Sequence, residues 1–129
     1  MSNIATGLTG EDIEFGKKLW RMLRADSRFP VCGMFWLLEG EWHLVIASDI
    51  VDKLGPRDAY EELDKTIPFD PSEASQMLRI DLISPKSPLY VAFRNLWTHT
   101  PEDRVEGRRL SSSQVAGMYV DDVYFYGVH

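Results

Sequence analysis

Two β-rich apolar runs separated by a short turn constrain this chain more than any other feature. Val31 to Leu38 and Trp42 to Ser48 flank Glu39-Gly40-Glu41, a pattern that reads as a hairpin. Both runs are apolar at nearly every position, where a strand with one wet face would alternate. Strands of that kind need cover on both faces. Both faces of the hairpin are therefore expected to be largely covered, by layers that the rest of the chain supplies.

The flanking sequence offers those layers. Thr9 is a suitable N-cap and Asp12, three residues on, closes a partial capping box. A helix is predicted from Gly10 to Asp26, with Phe15, Leu19, Met22 and Leu23 as its apolar stripe, Trp20 at the edge, and Arg28-Phe29-Pro30 as its end. After the hairpin, Asp49 to Gly55 shows no regular pattern. Pro56 suits a first helical position, and Ala59, Leu63 and Ile67 recur every fourth residue, so a helix is predicted from Pro56 to Ile67. Asp70-Pro71-Ser72-Glu73 reads as a cap with its box, opening a short helical turn through Gln76.

Leu78 to Ser84 alternates, with Leu78, Ile80 and Leu82 on one side and Arg79 and Asp81 on the other, as in a strand with a polar face. Ser87-Pro88 starts another helix, with Leu89, Phe93, Leu96 and Trp97 in its stripe up to Thr98. His99 to Gly107 reads as a polar loop. One or two strands follow, with a turn at Val115-Ala116-Gly117 and the clearest final strand at Val123-Tyr124-Phe125-Tyr126. The order α-β-β-α-β-α-β-β predicts an α+β fold in which helices pack on a mostly antiparallel sheet. A length of 129 residues suits one domain, with no linker-like block or repeat to divide residues 1–129.

Composition excludes several classes. An apolar share of 44% with 15 aromatic residues is incompatible with disorder. Cys32 is the only cysteine, so neither an internal disulfide nor a cysteine-based zinc site forms within one chain. It lies in an apolar run and reads as a structural thiol. Met1-Ser2-Asn3-Ile4 shows no signal-peptide pattern. No apolar stretch nears the ~18 residues of a membrane helix, so the expected location is the cytoplasm, with no membrane partner. The net charge of −6 argues against a global pull toward nucleic acid.

Local charge is segregated. Lys17, Arg21, Arg24 and Arg28 share one face of the first helix if it reaches Arg28. From Lys17 to Arg28 there are five bases against one acid, whereas Glu39 to Lys65 has eight acids against three bases. The basic face suits phosphates or an acidic partner, or is simply a solvated surface.

Chemistry-bearing constellations are weak. Asp49, Asp52, Asp58 and Asp81 are carboxylates near strand ends, loosely resembling a metal-dependent nuclease, but the Glu-x-Lys spacing is missing after Asp81. His43, Asp49, Arg79 and Asp81 are the catalytic candidates. Serines and histidines show no G-x-S-x-G elbow, three histidines do not suggest a His-metal cluster, and no glycine-rich phosphate loop occurs. Neither metal nor cofactor is expected. Tyr124 and Tyr126 alternate with Phe125 and either form an exposed contact surface or cover a helix. The sequence thus favours a non-enzymatic module that binds a protein partner or itself. The alternatives are a hydrolase or nuclease-like enzyme and nucleic-acid binding through the basic helix.

Overall fold

A computed structural model describes residues 7–26, 28–68 and 70–129; the reading of Met1 to Ile4 lies outside them. Helix α1 (Gly10–Ala25) starts from the capping box expected at Thr9 and Asp12: the Asp12 N–H donates to Thr9 Oγ1, and the Thr9 N–H to Asp12 Oδ2. Strands β1 (Gly33–Glu39) and β2 (Glu41–Ala47) form the hairpin. Then come α2 (Ile50–Leu54), α3 (Pro56–Thr66), a 3-10 turn (Pro71–Glu73), α4 (Ala74–Met77), β3 (Ile80–Ile83), α5 (Pro88–Leu96), α6 (Glu102–Val105), β4 (Arg109–Val115) and β5 (Met118–Val128).

The sheet order is β3-β2-β1-β5-β4. All neighbours are antiparallel except β2 and β3. The fold is therefore α+β on a mostly antiparallel sheet, as the element order predicts, with the apolar hairpin at its centre. On one face, α1, α2 and α3 pack over Met34, Trp36, Leu44, Ile46, Ile80 and Leu82. On the other, α5 and α6 pack over Phe35, Leu37, Val45, Val123 and Phe125. Helix over sheet over helix satisfies the demand that continuous apolar strands make.

Several boundaries differ from expectation. The irregular stretch after the hairpin contains α2, which buries Ile50. The supposed polar loop contains α6, which buries Val105. Each of these short helices fully buries a single residue, too little for periodicity to register. Glu73 does not return to its cap: Asp70 accepts from the Ser72 N–H, while Glu73 pairs with Lys18 of α1 at 2.7 Å. β3 starts at Ile80, so Leu78 belongs to a turn and stands 86% exposed.

Two irregularities shape the C-terminal hairpin. Phe125 pairs with Phe35 and Gly127 with Met34, leaving Tyr126 as the extra residue of a β-bulge. Further along, Val123 and Val120 enter the same core layer although three residues apart, so alternation is broken between them. The break coincides with Ser112, whose φ is +47°, between the intact pairs Ser111–Asp122 and Ser113–Val120. It turns Val115, Met118 and Val120 toward α5 while the register is kept.

Candidate functional site

The capping residue Asp12 does more than start α1. Its carboxylate is 4% exposed and accepts from Arg79 Nη2 at 2.6 Å and Gln76 Nε2 at 3.1 Å. Burial opposes its charge, but hydrogen bonds from Arg79, Gln76 and the Thr9 N–H outweigh that effect and hold the carboxyl below its usual range. The Arg79 guanidinium lies over the Trp36 ring, 5.1 Å from its centre. Trp36 Nε1 donates to the Asp12 carbonyl and to the Tyr126 hydroxyl, which donates to the Ile13 carbonyl. This chain of contacts locks α1, the turn before β3, and β5 together. Every member is partnered, so the cluster is a structural tie.

Arg79 and Asp81 therefore do not share a face. Arg79 precedes β3 and turns under α1, whereas Asp81 points to the opposite side and meets His43 Nδ1 at 3.2 Å. The reason is the register: Asp81 is in β3 beside Val45, while Ile80 and Leu82 enter the α1–α3 layer. Of the four catalytic candidates the structure brings only His43 and Asp81 together, half-buried and exposed respectively on the sheet surface. Asp49 is exposed at the start of α2 and makes no side-chain cap. Asp52 accepts from Ser84 Oγ, and Asp58 is exposed in the first turn of α3. Among the described residues, no group of three or more metal-ligating side chains converges.

The basic stripe is shorter than the spacing implies. α1 ends at Ala25, so Arg28 leaves the helical face and forks onto Asp26. Arg24 pairs with Glu102 and also lies over the Trp20 ring; Lys18 is held by Glu73. Lys17 and Arg21 remain on the helix surface, half-buried and exposed. The two C-terminal tyrosines cover a helix. Tyr126 is 1% exposed, packed on α1 at Gly16, which corrects its placement in a contact surface. Tyr124 is half-buried beside it, with ring centres 5.3 Å apart. Phe125 enters the other layer, as alternation requires.

Cys32 is half-buried. Burial and the nearby Asp49 charge raise its pKa, which disfavours the reactive thiolate. Tyr90, wholly buried, bridges the neighbourhood: its hydroxyl lies 2.9 Å from the Cys32 carbonyl, 2.8 Å from the His129 carbonyl, and accepts from the His129 N–H.

Among the described residues, the concave surfaces that residue motifs did not reveal include two apolar grooves. One groove lies at the end of the sheet between Leu37, Leu38, Leu89, Met118 and Tyr119, with Tyr119 58% exposed. The other, of about 530 Å³, lies beside β3 and is lined by Tyr60, Asp64, Ile67, Met77, Leu78 and Ile80. Among the described residues, Leu78 is the most exposed of the large apolar side chains. Tyr60 closes the strand edge there: its hydroxyl accepts from the Leu82 N–H at 3.0 Å and faces the Ile80 carbonyl at 3.4 Å. The one available signal was the leucine itself, which alternation placed on one side of a strand with Ile80 and Leu82.

Among the described residues, no helix is long and apolar enough to cross a membrane. Comparison with protein-family models, with curated proteins and with solved structures found no match.

Proposed function

We propose that this chain is a non-enzymatic interaction module, which binds a protein through the apolar groove beside β3. The observation that carries this reading is Leu78, 86% exposed among Tyr60, Ile67 and Met77. Folding leaves large apolar side chains in a concave surface at a cost in free energy, and such surfaces mark contact sites when they cluster. The ionisable groups support the same reading, because Arg79 and Asp12 are consumed by a structural tie and Asp49 stands apart from His43 and Asp81.

The hydrolase reading draws its support from the His43–Asp81 pair alone. Neither residue lines the two apolar grooves. The nucleic-acid reading rests on Lys17 and Arg21, a small charge against a net of −6.

The test is quantitative affinity capture from the cells of origin with the wild-type chain, Leu78→Asp and a control, Lys86→Glu, with light scattering on each. Wild type and the control should retain the same protein, or the same oligomer, and Leu78→Asp should lose it. Identical captured sets together with a strict monomer in all three would overturn the proposal.

A further inference from the structure

We draw no further inference here: the strongest candidate, the acidic depression between α1 and the 3-10 turn, lined by Glu11, Glu14 and Glu73, carries nothing, because Glu73 is already paired with Lys18, the buried Gln76 on its wall already donates to Asp12, and nothing else in the structure points to a ligand there.

Discussion

Gly16 of α1 lies directly against the ring of Tyr126 in β5, with no space for a Cβ between them. The β-bulge in β5 makes this approach possible. Tyr126 is the extra residue, so both it and Gly127 face α1, where Gly127 admits the Trp20 ring. The Tyr126 hydroxyl then reaches the Ile13 carbonyl at 2.7 Å and receives Trp36 Nε1 at 3.1 Å. Gly16→Ala should therefore destabilise the protein by about 1–3 kcal/mol, the usual cost of overpacking, even though alanine favours a helix by about 1 kcal/mol. Gly10→Ala, at a position with open space around it, should be neutral or stabilising. Urea melts of the two variants check this. Equal stability of both would show that Tyr126 moves freely.

Asp12 and Arg79 form a buried pair whose loss leaves a charge without a partner. Asp12→Ala should cost about 3–5 kcal/mol, as breaking such pairs does. The pH dependence has a definite sign. The folded carboxyl lies below its free value of 3.8, so the folded state binds its proton less readily than the unfolded chain. The contribution is complete above about pH 4 and disappears as pH falls through the folded pKa. Asp12→Asn should flatten the stability profile in that acid range. A variant that loses stability with the same slope as wild type would assign the acid sensitivity elsewhere.

The Tyr60 hydroxyl closes one edge of the sheet. Tyr60→Phe should expose the Leu82 amide and the Ile80 carbonyl, at a cost of about 1 kcal/mol. Hydrogen exchange at Leu82 should accelerate while exchange at Leu44, in the interior strand β2, follows only the global change. An open edge is a template for pairing with other chains, so this variant should also aggregate sooner on warming.

Ser112 holds a left-handed backbone in an edge strand, with φ of +47°. That conformation costs an L-residue roughly 1–2 kcal/mol. Ser112→Gly should relieve part of the strain and raise stability by about 0.5 kcal/mol after the entropy that glycine loses. Ser112→Val should lower it by about 1–2 kcal/mol, because a β-branched side chain tolerates positive φ poorly. Thermal melts separate the pair, and an opposite order would mean that the strand simply straightens.

The wholly buried Tyr90 predicts behaviour at the alkaline end. Burial raises its pKa to about 12. A phenol raised above its free value of 10 contributes fully below pH 10 and loses that contribution as pH rises toward 12. Tyr90→Phe should soften this alkaline decline while lowering stability at neutral pH. Far-UV spectra between pH 9 and 12 provide the comparison.

Much of the architecture was legible along the chain because local chemistry encodes it. Continuous apolar runs announced a hairpin with cover on both sides; Thr9 and Ser87 marked helix starts by the oxygens they offer to free N–H donors, and Pro56 by its fixed φ and missing N–H. The turn at Val115-Ala116-Gly117 was readable for the same reason. Elements with a single buried anchor, Ile50 in α2 and Val105 in α6, were not, since one residue has no period.

Contacts between distant segments were decided in three dimensions. Asp12 read only as a cap, yet Arg79, 67 positions away, makes it one end of a buried ion pair. Tyr126 read as one of two exchangeable strand residues, and a bulge placed it inside against Gly16. Leu78 read as the first residue of a strand, on the same side as Ile80 and Leu82, and emerged on the rim of a groove, because β3 begins two residues later. Pattern along a chain reports which side chains avoid water. Which partners they meet depends on register, bulges and strand starts, and those are set by the packing of the whole molecule.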